Sequence, residues 1–266
     1  MDSRPATAPD QLASMDTEQL RKRFLVEGLF ADGEVRLTYS HEDRIIVGGS
    51  AGATELPCPG ELRSEFFLER RELGVVNIGE PGTVTVDGER FELGAKEVLY
   101  VGRGARQVTF DGRFYLVSTP AHASHPTVKA TLDDAEPVRL GSREGSNERT
   151  IYKYIHVKGI QSSQLVLGVT VLEPGSMWNT MPCHTHERRT EVYFYFGLPE
   201  AERVVHLMGR PESTRNLIVA PEQAVISPCW SVHCGFGTRS YAFVWAMGGE
   251  NQAYEDVEPV AIGELR

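Results

Sequence analysis

Apolar residues in this chain fall in short runs with a period of two, broken at close intervals by Gly, Asp, Pro and Asn. In the first half the runs are EVRLTYS, RIIVGGS, LGVVNIG, GTVTVDGERFEL, EVLYVG, RQVTF and RFYLVST. They are rich in β-branched and aromatic residues, which predicts strands. Asp87 and Gly88 inside TVDGERF predict a tight hairpin turn. The second half repeats the habit in TIYKYIHV, QLVLGVTVLEPG, TEVYFYFGL, RVVHLMG, NLIVAPEQAVIS and SYAFVWAMGG. Only DTEQLRKRFLVEGLF carries a helical pattern: Asp16 or Thr17 as cap, then Leu20, Phe24, Leu25 and Leu29 on roughly one face. These elements predict an all-β protein, an antiparallel sandwich or barrel built twice over, with one short N-terminal helix. Residues 1–16 read as a loose arm, 17–125 as the helix plus a first barrel, 126–150 as a linker rich in Pro, Ser, Asp and Gly, and 151–266 as a second barrel. No βαβ alternation and no glycine-rich phosphate loop is present, so a doubly wound nucleotide-binding sheet is not expected.

Length and composition narrow the classes further. The chain has 266 residues, 41% of them hydrophobic, enough to bury a core. Its net charge of -10 argues against a nucleic-acid partner, because the phosphate backbone would be repelled over most of the surface. Small anions are not excluded, since they need only a local basic pocket. No run approaches the ~20 apolar residues of a membrane span, and MDSRPATAPD has neither the cationic start nor the apolar core of a signal peptide. A cytoplasmic protein without a membrane partner is expected. Cys58, Cys183, Cys229 and Cys234 lack the density of a disulfide framework and read as reduced thiols.

One stretch, MPCHTHERRTEV, carries candidate chemistry. On a strand His184 and His186 project to one face and Cys183 and Thr185 to the other. The odd spacing from His186 to Glu191 requires a turn or bulge within ERRT to return the carboxylate to that face. His233, in ISPCWSVHCGFGT, is the fourth candidate. Three imidazoles and a carboxylate suit Zn, Fe, Mn, Ni or Co, and the donors alone do not choose among them. Other histidines show no comparable spacing.

H-x-H-x4-E followed by P-x4-H resembles the two-motif metal pattern of the cupins. The glycines match less well than the ligands: Gly175 lies nine residues before His184, and Trp230 stands where the second motif has glycine. More specifically, RRELGVVNIG, GTVTVDG, LYVG, SNERTIYKYIH, MPCHTHERRTEVYFYF and SPCWSVHCGFGTRSYAFVWAMGGENQAY resemble the 5-dehydro-4-deoxy-D-glucuronate isomerase family over residues 70–254. That resemblance implies two tandem cupin-like, jelly-roll barrels, a homohexamer, and one Zn2+ per subunit on His184, His186, Glu191 and His233. It also implies an aldose-ketose isomerisation of 5-dehydro-4-deoxy-D-glucuronate to 3-deoxy-D-glycero-2,5-hexodiulosonate in pectin breakdown. The first barrel, which has no H-x-H and E, would serve structure or assembly. For the proton transfer Glu250 and Tyr254 are candidates, and for binding the substrate carboxylate Lys153 and Arg188. A cupin-type iron oxygenase and a metal-free sugar-binding module are the alternatives from other classes.

Overall fold

In the computed structural model, which describes all 266 residues, strands dominate and the sheets are antiparallel apart from the N-terminal edge pair Asp2–Arg4 with Val35–Ser40. Two long sheets organise the chain. The first runs in the order Asp2–Arg4, Val35–Ser40, Ile46–Glu55, Val108–Pro120, Arg71–Asn77, Val98–Val101, Val128–Ala130. The second runs Val138–Leu140, Arg149–Ile155, Val166–Leu172, Ala242–Gly249, Arg189–Phe196, Gln223–Ser227, Leu25–Val26. Rank for rank, the central strands are joined in the same chain order. Each half also has a hairpin that folds over its inner face: Gly82–Val86 with Glu89–Leu93 in the first, Val204–Arg210 with Ser213–Val219 in the second.

The central strands Arg71–Asn77 and Arg189–Phe196 are buried along their whole lengths, so both faces must be covered. Alternation divides the work. Leu73 and Val75 point into an apolar interior of the first half, and Tyr193 and Tyr195 into that of the second. The intervening residues, Val76 on one side and Val192, Phe194 and Phe196 on the other, meet between the halves in one shared core. There Tyr115 stacks on Phe194 with centroids 4.1 Å apart. A Cβ at Gly74 would lie 2.9 Å from Leu167 Cδ1, so glycine permits the close approach of the sheets.

A buried carboxylate ties the halves together. Glu72, fully buried, accepts hydrogen bonds from the Tyr100 and Thr119 hydroxyls of its own half and from the backbone N–H groups of Ser163, Gln164 and Leu165 of the other. Five donors around one carboxylate compensate its loss of water. Closer to the second half's candidate ligands, the Asp43 carboxylate accepts from the Thr190 N–H at 2.6 Å.

Two segments differ from the sequence-based expectation. The expected helix forms over Thr17–Phe24 only, because Leu25 turns to extended backbone and starts the strand Leu25–Val26 instead of carrying the helical face on to Leu29; Asp16 accepts from Gln19 N–H, and Gln19 Oε1 accepts from Asp16 N–H. Its place in the chain puts it with the first barrel, yet Leu20, Phe24 and Leu25 pack with Tyr193, Val225 and Trp245 of the second half, and Leu25–Val26 pairs with Ala224 and Val225. The apolar stripe sets the partner, whatever its place in the chain. Within 126–150 the chain is not strandless: Val128–Ala130 extends the first sheet and Val138–Leu140 the second.

Candidate metal centre

Local geometry resolves the odd spacing in MPCHTHERRTEV. His184 and Thr185 form a short strand paired with Glu258 and Pro259, Glu187 and Arg188 make a turn, and Arg189 opens the central strand on which Glu191 sits. His233 comes from Val232–Gly237, which folds over the inner face beside Val204–Arg210. The four side chains therefore reach one point from three segments. Cys183 and Cys234, on the opposite faces of their strands, pack with Val232 and Val260 behind the ligands.

The donor atoms of His184, His186, Glu191 and His233 all lie within 4.8 Å of one another. Glu191 Oε2 is 2.7 Å from Nε2 of both His186 and His233, and His184 Nε2 is 3.2 Å and 3.0 Å from those same nitrogens. Donors held at about 2.1 Å around a tetrahedral ion stand about 3.4 Å apart, so the cluster has the right size. Protonation supports the fit. His186 Nδ1 lies 3.1 Å from the Asp256 carbonyl and His233 Nδ1 3.2 Å from the Ser231 carbonyl. With the proton on Nδ1, each Nε2 can turn a lone pair toward an ion, as in metal-bound histidines with an outer hydrogen-bond partner. Burial pulls His184 down to about 4, so it is neutral at pH 7. Burial alone would raise Glu191, but positive charge on His233 and hydrogen bonds donated by the imidazoles hold it well below the usual carboxylate range, and an ion bound there would take the place of those protons. With those protons displaced, inward lone pairs around a buried carboxylate suit a cation at their centre.

Behind the ligands, the fully buried Arg189 donates through Nη1 to the Ala253 carbonyl and through Nη2 to the Asp256 carbonyl, the same oxygen that His186 contacts. It fixes the 251–256 segment against the site. In front of the ligands opens a cavity of ≈ 370 Å³, lined among others by Arg149, Thr180, Tyr193, Trp245, Tyr254 and Glu255. Arg149 is its one Arg or Lys, and Nη1 of that side chain is held by the Asn147 carbonyl at 2.9 Å. Thr180 and Tyr193 share a hydroxyl-hydroxyl hydrogen bond of 2.9 Å in the wall.

The remaining sequence candidates separate. Tyr254 lines the cavity, and the Lys153 ammonium lies 4.9 Å from the centre of its ring. Burial pushes the Tyr254 phenol up to about 12. Glu250 is exposed and outside the cavity, its backbone N–H donating to the Arg188 carbonyl. Arg188 is exposed too, and its guanidinium is neutralised by Asp256, with Glu258 3.8 Å away. The sequence reading missed Arg149, although strand alternation in RTIYK places it on the same face as Lys153, and it missed Tyr193, two residues beyond Glu191. Glu255 carries no local signal.

Comparison with known proteins adds a family. The chain matches the model of the KduI/IolB family over residues 24–259. It is 52% identical to a 4-deoxy-L-threo-5-hexosulose-uronate ketol-isomerase of Kineococcus radiotolerans and 51% identical to the protein of that name from Caldicellulosiruptor bescii, with 100% of each chain covered. Among solved structures, an IolB-like protein from Salmonella typhimurium LT2 superposes with a TM-score of 0.70 at 12% identity, covering 87% of this chain and 95% of that one. An oxalate decarboxylase from Lactobacillus farciminis reaches 0.59 at 10% identity, covering 91% and 89%. At such identities the structural matches speak to the fold alone.

Proposed function

This chain belongs to the KduI/IolB family, and we propose on that premise that it is a ketol-isomerase converting 4-deoxy-L-threo-5-hexosulose-uronate, the compound also called 5-dehydro-4-deoxy-D-glucuronate, to the 2-ketose. The observation that carries this reading is the pair of full-length relatives at about half identity that bear the name. The inward-facing cluster of three His and one Glu at the head of a cavity supports it, and so does the size of that cavity, which suits a six-carbon acid.

His184, His186, Glu191 and His233 would hold a divalent ion, which we infer to be zinc. Such an ion would supply Lewis-acid polarisation of substrate oxygens, on which negative charge builds as the carbonyl moves. The chain's own groups do the rest. Arg149 is the cavity's single side chain able to pair with the C6 carboxylate, which assigns it the anchoring role expected of Lys153 or Arg188. With the substrate held at both ends, Glu255 is the lining carboxylate left to take the proton from C2 and return it to C1 of the enediol, since Glu191 is committed to the ligand cluster. Tyr254 stays a neutral phenol and can donate its proton to O1 as charge develops there and regain one from the O2 hydroxyl as the ketone forms; Lys153 beside its ring keeps it oriented. Trp245, Phe243 and Met247 in the wall keep bulk water from the reacting carbons.

We further infer a cytoplasmic homohexamer that acts on uronates released from pectin. The exposed edge strand Val138–Leu140 and the exposed side chains of Val157, Met177, Ile218 and Phe236 support self-association. The deciding experiment is metal content by mass spectrometry on untagged protein, alongside conversion of the hexosulose-uronate before and after chelation. Near-stoichiometric zinc, with activity lost on chelation and restored by zinc, is the expected outcome. Stoichiometric iron with oxygen uptake and no isomerisation would overturn the reading. Among variants, Arg149→Lys should raise KM by roughly 10- to 100-fold with a smaller change in kcat, whereas Glu255→Gln should lower kcat.

A further inference from the structure

A protein of net charge -10 repels anions over most of its surface, so an anion needs a local concentration of cations to bind. One such place lies far from the histidine cluster in sequence, where Val35–Ser40 ends, Arg71–Asn77 begins and Val108–Pro120 ends. A cavity of ≈ 520 Å³ opens there, and Arg44, Arg70, Arg71 and His41 line it. The carboxylate in its wall, Glu61, faces the N-terminal amine at 3.6 Å. The three guanidinium groups therefore outnumber the available negative charge.

Arg71 is the informative member. Its side chain is 7% exposed, yet no carboxylate pairs with it. Nε donates to the Ser118 hydroxyl at 3.0 Å, and Nη2 donates to the carbonyls of Arg44 and Ser118 at 2.7 and 2.8 Å. All three acceptors are neutral, and Nη1 has no hydrogen bond within the protein. Arg189 holds the corresponding place in the second half and uses both Nη groups on carbonyls. Burial draws the Arg71 guanidinium down to about 10, which leaves it charged at neutral pH. A buried cation without a counter-ion is costly, and that cost is recovered when an oxyanion docks on the free edge of the guanidinium.

We propose that this cavity is a binding site for a small organic oxyanion, a carboxylate or a phosphate, held by Arg71, Arg44 and Arg70. Tyr39, Leu62 and Pro120 give the carbon body of such a ligand an apolar wall. The ring of Tyr39 is braced edge-on by His41 at 5.1 Å. Arg70 is itself fixed, because its Nη2 donates to the carbonyls of Leu62 and Arg63 and to the Ser64 hydroxyl. The site does not depend on the isomerase reading.

The test is isothermal titration of the intact protein, in its native assembly, with inorganic phosphate, D-glucose 6-phosphate and D-gluconate. Expected is saturable binding of an organic anion that persists in His184→Ala and weakens by roughly tenfold or more in Arg44→Gln and in Arg71→Lys, with assembly size unchanged in both and thermal stability unchanged in Arg44→Gln. Binding of gluconate alone would assign a carboxylate ligand; binding of phosphate and glucose 6-phosphate would assign a phosphorylated one. If Arg71→Lys fails to fold, Arg44→Gln still decides, because the Arg44 side chain is exposed and only its carbonyl serves Arg71. The proposal fails if no anion binds saturably at millimolar concentration, or if binding is lost in His184→Ala and kept in Arg44→Gln. It fails as well if Arg44→Gln changes the assembly size, which would mark the cavity as a contact between subunits.

Discussion

The two halves of this chain have one strand order and opposite interiors. Arg71 pairs with Pro120 and Arg189 with Gly249 at the same end of equivalent strands, and two residues further on Leu73 occupies the place of Glu191. Glu69-Arg70-Arg71 and Glu187-Arg188-Arg189 lead into those strands, which sets Leu68 against His186 and Phe66 against His184. In the hairpins, Val86 pairs with Glu89 and Arg210 with Ser213; counting back from each turn, Phe110 stands opposite Val84 as His233 stands opposite Met208. The four candidate ligands thus correspond to Phe66, Leu68, Leu73 and Phe110, of which the last three lie in a single apolar core. A frame that carries a candidate metal centre in one half is plugged with hydrocarbon in the other. Strand order fixes where four side chains converge, and residue type alone decides what they do there.

The largest test of that comparison copies the first half's residue into the second. Glu191→Leu should abolish metal retention and cut turnover by more than the ~10–100-fold typical of groups behind the ligands. The fold should survive, because Leu73 shows that the frame accepts leucine at this rank. Metal analysis, a turnover assay and a melting curve together check it; an active Glu191→Leu enzyme would sink the site. The reverse copy, Leu73→Glu, should cost stability instead, by about 3–5 kcal/mol, since Phe110 and Leu68 offer the new carboxylate no partner. Urea unfolding measures it, and a stable variant would mean that the first half's interior admits water.

How much of this was open to sequence reading follows from the range of each signal. Period-two runs are local, so the strands, the Asp87-Gly88 turn and the pair His184 and His186 were legible, as was the helix capped at Asp16. Glu191 and His233 were legible because turn residues bracket them. The destination of a surface element was not: nothing within DTEQLRKRF says which half its apolar stripe will cover. The pairing of Leu73 with Glu191 needed the register of both sheets, although the Glu-Arg-Arg repeat stood in the sequence. Arg149 lies on a strand remote in sequence from every ligand, and Arg188, adjacent to them, was drawn away by Asp256.

What the halves share is sharper at Glu72, whose counterpart by rank is Thr190, and whose carboxylate belongs to both cores. Glu72→Gln keeps the shape but offers one acceptor oxygen, and an NH2 group, to five donors. A loss of about 2–3 kcal/mol is expected, with the Ser163–Leu165 amides exchanging faster than those of Val98–Val101. Equal protection throughout would show that the shared apolar core, and not this carboxylate, holds the halves in register.

The smallest expected effect concerns the helix, and it separates the halves most cleanly. Asp16→Ala removes the side-chain oxygen that accepts Gln19 N–H and should destabilise the helix by about 1 kcal/mol. In a protein of this size that moves the melting point by about 2 °C, too little to say where the helix acts. Hydrogen exchange can say it. Leu20 and Phe24 anchor Leu25–Val26, which closes the edge of the second sheet by pairing with Ala224 and Val225. The first sheet closes its own edge with Val128–Ala130 on Val98–Tyr100, whose side chains lie outside the apolar cluster that holds Leu20 and Phe24. Loosening the helix should therefore raise exchange in Gln223–Ser227 and leave Val98–Val101 as it was. Equal acceleration in both strands would mean that the helix acts through the shared core, and the two sheets would then have to be treated as one cooperative unit.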